Sequence, residues 1–312
     1  MAEPTVRNVH QDSILSQISL GYQNAEYIGR RILPVVPVDK ASDKYYVFDQ
    51  AAWFRNEAGV RAPATFGPEG GYTLSTVAFQ TVQQSHMTWV ADEERDNADA
   101  GLDLDRQGTE FCADKVAMGH EKLAAALVFG SGNYASGHTS TLAGVTQWSD
   151  PASTPIENIT ETAQETIGGK IGRRGNTLVL GEQVFNKLRN HPDVMDRVKY
   201  TQTGQVSAQL LASLLEVDQL LIGRAIENTA PQGATAVYAR MWGKFAALLY
   251  LPPRPGIRTL SYGYTFMWKP YNFVTERWLD SGRKATGIRT LAQYDQKVVA
   301  NTAGYLFIDA VA

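Results

Sequence analysis

Apolar and polar positions change period several times along the chain, and each change predicts a different element. From Lys44 to Val90 the period is two. Tyr45–Phe48 (YYVF) is a compact β run, and Val77, Phe79 and Thr81 share one side, which Met87 and Trp89 are expected to continue. Between these runs lies RNEAGVRAPATFGPEGGY, rich in Gly, Pro and Ala and periodic in neither sense. The segment therefore reads as a long hairpin with a wide tip. Such a ribbon is not stable alone in water, and an unstructured loop of about 20 residues is unusual in a compact domain. Unless it folds back, it should lie on a neighbouring subunit.

At Asp92 the period becomes helical and stays so to about Phe129. Asp92, Glu93, Glu94 and Asp96 crowd the start, where the helix dipole favours acid, and Leu104, Phe111, Met118, Leu123 and Leu127 recur at helical spacing. One long helix is expected, with a bend or break near Gly101 or Gly119. GSGNYASGHTST is a loop, and SDPASTP at 149–155 is a candidate boundary.

Helix and strand then alternate. A helix should begin near Pro155 and end at Gly168-Gly169. NTLVLG reads as a buried strand, and EQVFNKLRN as a helix presenting Val184, Phe185 and Leu188 on one face. Ser207 caps a helix carrying Leu210, Leu211, Leu214 and Leu215. DQLLIGRAI and ATAVYARMWGKFAALLYL are further strands, and NFVTERWLD, GIRTLAQYDQKVV and GYLFIDAV return to β. A β region on both sides of an α/β block suggests that the middle domain is inserted into an outer one. At the other end, residues 1–38 form an arm with too few apolar residues for its own core, extended at RILPVVPVDK by Pro34 and Pro37.

Composition narrows the function. Of 312 residues, 44% are hydrophobic and 20% charged, as in a folded protein. A net charge of -3 lacks the basic stripe of a dedicated nucleic-acid reader. The N-terminus has no basic start followed by an apolar run, so no signal peptide is expected, and no apolar run reaches the ~20 residues of a membrane helix. The single cysteine, Cys112, has no partner for an intrachain disulfide and reads as a small buried residue.

Few patterns carry chemistry. His120-Glu121 opens like a zinc-protease signature, but Ala124 stands where the second histidine is needed. The five histidines (His10, His86, His120, His138, His191) show no ligand spacing. No phosphate loop or nucleophile elbow is present. LRNHPDVMDRVKY gathers His191, Asp193 and Asp196, yet helix physics accounts for it. Pro192 suits the first helical position, Asp193 suits the first turn, and Val194, Met195 and Val198 supply a buried side. No catalytic, cofactor or metal residue is assigned.

That segment also carries a resemblance. LGEQVFNKLRNHPDVMDRVKYT, then LLASLLEVDQLLIGRAIENTA, MWGKFAALLYLPPRP, YGYTFMWKPY and DQKVVANTAGYLFIDA, resemble the major capsid proteins of tailed bacteriophages, the Hong Kong 97-type fold shared with encapsulins. The likeness is strong over roughly 140–312; before 130 it is one of layout.

The resemblance implies an α+β capsid fold. Its parts would be an N-terminal arm (1–38), an extended hairpin loop (39–91), a peripheral domain with a spine helix (92–152 and 271–312) and an inserted α/β axial domain (153–270), the last three strands completing the peripheral sheet. It implies assembly into hexamers and pentamers of an icosahedral shell around double-stranded DNA, which the wall touches weakly and without specificity. Scaffold, portal and decoration proteins come with it as partners, a host bacterial cytoplasm as the place of assembly, and no membrane. An encapsulin shell around a cargo enzyme is the alternative. In the hairpin, Phe54, Phe66 and Tyr72 would anchor a neighbour, and Arg55, Glu57, Arg61 and Glu69 would set register.

Overall fold

The computed structural model describes residues 24, 26–98, 103–198, 206–256 and 259–312. The first part of the expected arm, including His10, lies outside them.

The short helix α1 (Gly29–Ile32) leads into β1 (Val35–Val38). Strands β2 (Ser42–Phe48) and β3 (Leu74–Gln80) flank α2 (Gln50–Phe54), and β4 (Val82–Ala91) runs into α3 (Asp92–Asp96). Helix α4 spans Leu104–Val128. The α/β block follows: β5 (Thr139–Thr141), α5 (Pro155–Glu157), α6 (Gln164–Ile171), β6 (Thr177–Gly181), α7 (Glu182–Leu188), α8 (Pro192–Val198), α9 (Ala208–Leu214), β7 (Gln219–Gly223), β8 (Ile226–Asn228), β9 (Tyr238–Arg240) and β10 (Ala246–Leu249). The chain ends through β11 (Gly263–Trp268), β12 (Val274–Asp280), β13 (Ala285–Val298) and β14 (Gly304–Ile308).

Two sheets organise these elements. In the first, β13 pairs with β4, β12 and β11, and β1 adds to β11 in parallel. Helix α4 lies across its inner face, where Gly108 brings the backbone close to Thr88, Val90 and Ile288. The second sheet runs β5-β14-β10-β6-β7. Every residue of β6 (TLVLG) and β10 (AALL) is buried, the unbroken apolar pattern of strands covered on both faces. The main core surrounds this sheet and takes in Ile159, Ile167, Leu180, Leu188, Trp242 and Phe307.

Several expectations change. The final strand, β14, does not complete the first sheet; it inserts between β5 and β10 of the second. Conversely β11, on the axial side of the expected 270/271 boundary, belongs to the first sheet, and β5, before 153, belongs to the second. The helical stretch from Asp92 is interrupted at the first of the two expected places and makes two helices. α3 closes at Asn97, whose N–H bonds to Glu93 O, and α4 restarts where Asp103 Oδ1 accepts the Arg106 N–H at 2.9 Å. Gly119 lies in an unbroken stretch of α4. Gly168-Gly169 do not end their helix, which contains a π-turn over Asn158–Ala163 and stops only at Gly172, in the left-handed region at φ +66.

Met87 does not continue the face of Phe79. The chain changes sheet at Thr81, whose N–H bonds back to Ala41 O at 2.8 Å, and in β4 the even positions His86, Thr88 and Val90 lie against α4. Met87 is left 45% exposed. Met195 is exposed likewise, while Val194 and Val198 are buried as expected.

Candidate assembly surface

β2 and β3 form the expected ribbon, in register from Ser42↔Gln80 to Phe48↔Leu74. Its root is fixed to the first sheet. Phe79 stacks on Phe266 at 4.6 Å, Tyr45 on Phe266 at 5.4 Å, and Gln80 N–H donates to Asp295 Oδ2 at 3.0 Å. Beyond Phe48, Asp49 caps α2 by accepting the Ala51 N–H at 3.0 Å, and residues 55–73 carry no regular ladder.

The apolar side chains of the tip remain at the surface. Phe54 is 64% exposed, Phe66 95% and Tyr72 60%. Trp53, 61% exposed, is missed by the sequence reading; it lies between Phe48 at 6.5 Å and Tyr72 at 5.8 Å. Its place beside Phe54 in the apolar-rich QAAWF is the available signal. The tip also touches its own chain, through a hydrogen bond from Gln50 Nε2 to Lys170 O and through the Phe54 ring beside Gly172. It therefore folds back in part.

The four charged residues are not gathered into one site. Arg55 Nη1 pairs with Glu57 Oε1 at 3.1 Å, and the Glu57 carboxylate lies against Gly70. Arg61 passes beside Gly67, and Glu69 is exposed.

The clusters that hinted at chemistry have structural partners. The surroundings of His191 assign its tautomer: Nε2–H donates to Asp150 O at 2.9 Å and Nδ1 accepts the Asp193 N–H at 3.2 Å. Asp193 pairs with Arg197 at 3.5 Å. The ring thus ties the start of α8 to the loop before α5. His120 packs between Phe273 and Tyr294, and burial, with Arg30 nearby, lowers its pKa to about 4. Burial pushes the Cys112 thiol up. Among the described residues, no group of three His, Cys, Asp or Glu could hold a metal ion, and no helix is long and apolar enough to cross a membrane.

Comparison with known proteins places this architecture. Residues 133–223 match the family described as phage major capsid protein E. The capsid structure of cyanophage P-SCSP1u superposes with a TM-score of 0.65 at 11% identity, over 98% of this chain and 95% of that one. A phage-related protein from Bordetella bronchiseptica RB50 gives a TM-score of 0.72 at 26% identity, over 96% and 97%. The fold is that of the phage capsid proteins. In sequence the chain is similar to the major capsid protein of Burkholderia phage BcepMu, 27% identical over 303 residues and 95% of both chains. The resemblance to the tailed-phage major capsid proteins therefore holds along the whole chain, and the encapsulin reading is not favoured.

Proposed function

We propose that this chain is a major capsid protein whose copies assemble, as hexamers and pentamers, into the icosahedral shell around the double-stranded DNA of a tailed phage. The observation that carries this reading is the whole-length likeness to a major capsid protein. The exposed aromatic tip supports the part given to the hairpin. It lies across an adjacent subunit, where Trp53, Phe54, Phe66 and Tyr72 bury apolar surface and Arg55, Glu57, Arg61 and Glu69 set register. The net charge of -3 suits a wall that contains DNA without holding it by the salt-dependent contacts of a basic surface. Assembly takes place in the host bacterial cytoplasm, with scaffold, portal and decoration proteins as further partners.

Electron microscopy of the purified protein tests the reading. Hollow shells or five- and six-membered rings are expected, and a monodisperse monomer under all conditions would sink it. Deleting residues 55–70 should leave a folded subunit that assembles badly; normal shells from that deletion would remove the hairpin's role.

A further inference from the structure

The His120-Glu121 pair, which lacks the second histidine of a zinc site, has a different use for its carboxylate. Glu121 is 1% exposed, in the C-terminal half of α4. Its Oε1 accepts N–H groups from Ile28 at 3.0 Å and from the Trp242 indole at 2.7 Å. Its Oε2 accepts the Gly29 N–H at 2.6 Å. A buried carboxylate is costly unless its lone pairs are filled. Here they are filled from two directions, by the first N–H groups of α1, which have no helical partner, and by a side chain from the loop before β10.

Close approach makes this possible. A Cβ on Gly29 would come within 2.7 Å of Glu121 Oε2 and 2.9 Å of Ala124 Cβ, so only glycine lets the arm backbone settle on α4. The arm is fastened on both sides of this point. Asn24 exchanges two hydrogen bonds with the backbone of Ile226, at 2.8 and 3.1 Å, and Tyr27 donates to Asp114 at 2.8 Å. Further on, Thr265 donates to Leu33 O and Pro34 O, both at 3.0 Å, and β1 joins β11. The segment thus runs from β8, across α4, to the first sheet. Trp242, fully buried and edged by Phe129 at 5.3 Å, belongs to the core around the second sheet.

We propose that Glu121 is a clasp coupling the seating of arm residues 26–33 to the position of the Trp242 loop, so that losing the carboxylate loosens both while each sheet stays folded. One oxygen, Oε1, holds both partners, so a change in either is felt by the other. A glutamine in its place has only one acceptor oxygen, and its amide N–H₂ would face an N–H donor.

Hydrogen exchange on the full chain, read by peptide, tests this. Glu121→Gln should speed exchange at least tenfold in peptides covering 26–33 and 240–245, leaving 177–181 and 285–294 unchanged. Trp242→Phe removes the indole donor and should also speed exchange at 26–33, by a smaller factor. Unchanged exchange at 26–33 in Glu121→Gln would overturn the clasp, and unchanged exchange there in Trp242→Phe would overturn the coupling. A uniform rise across all peptides in both variants would reduce Glu121 to an ordinary core group and also defeat the proposal.

Discussion

The β2–β3 ribbon and strand β6 use the same backbone ladder and opposite placements of their side chains. In β6 every residue is buried, and its neighbours β10 and β7 are in the same chain. In β3 only Phe79 is buried, at the root, and the aromatics past Phe48 lie at the surface. Burying an aromatic side chain stabilises by about 1.5–3 kcal/mol, so the tip holds back apolar contact that the single subunit does not make. The second sheet secures the subunit, and the exposed aromatics of the hairpin are the apolar surface that the proposed assembly would cover.

The largest effects should fall on the sheet. Leu180→Ala removes a fully buried side chain and should cost about 2–5 kcal/mol in denaturant unfolding. Phe66→Ala, at 95% exposure, should stay within about 0.5 kcal/mol by the same measure and yet lower shell yield. Comparable losses of subunit stability from the two changes would erase the distinction.

Much of that distinction is readable in the sequence. The hairpin, the helical stretch, the buried NTLVLG strand and the Pro192 helix start all follow from local period and capping, which neighbours in sequence decide. Sheet membership does not. The apolar run of GYLFIDAV gives a buried strand but not the sheet that accepts it, and the layout implied by the resemblance puts β14 in the wrong sheet. The shift of parity between Phe79 and Val90 arises because the chain changes sheet at Thr81, a tertiary event without a local mark. For the surface, the aromatics of the tip are visible as sequence, whereas the Arg55–Glu57 pair inside one chain is not.

An acid titration probes the packing between α4 and the first sheet. His120 has its pKa lowered from 6.5 to about 4, so the unfolded chain takes up a proton first as pH falls. Its neutral burial is without penalty above about pH 6.5, and stability is lost between there and pH 4, to a limit of about 3 kcal/mol. Glu121 works the other way, because burial raises its pKa and protonation relieves the buried charge. The telling quantity is therefore the difference between wild type and His120→Phe, which fills the same aromatic site without titrating. The variant should lose less stability than wild type from pH 6.5 to 4; parallel curves would refute the assignment. A hairpin change such as Phe66→Ala should not alter the slope.

A smaller effect is expected at the edge of the second sheet's cover. Ser207 Oγ accepts the Leu210 N–H at 3.2 Å and caps α9, so Ser207→Ala should cost about 1 kcal/mol in the same denaturant unfolding.

The smallest effect on the subunit sharpens the comparison most. Arg55 and Glu57 are exposed or half-exposed and paired at 3.1 Å, so breaking the pair should change subunit stability by less than about 1 kcal/mol. If the pair serves only the tip, Arg55→Glu combined with Glu57→Arg keeps opposite charges adjacent and assembly should be normal. If the two residues set register on a neighbouring subunit, the same exchange presents each neighbour with the wrong sign. Assembly should then be impaired most at low salt and recover as salt screens the mismatch. The hairpin reading predicts the second result, with unfolding curves of the two subunits superimposed. Normal assembly at every ionic strength would confine the charges to shaping the tip and leave the aromatics alone to hold the neighbour.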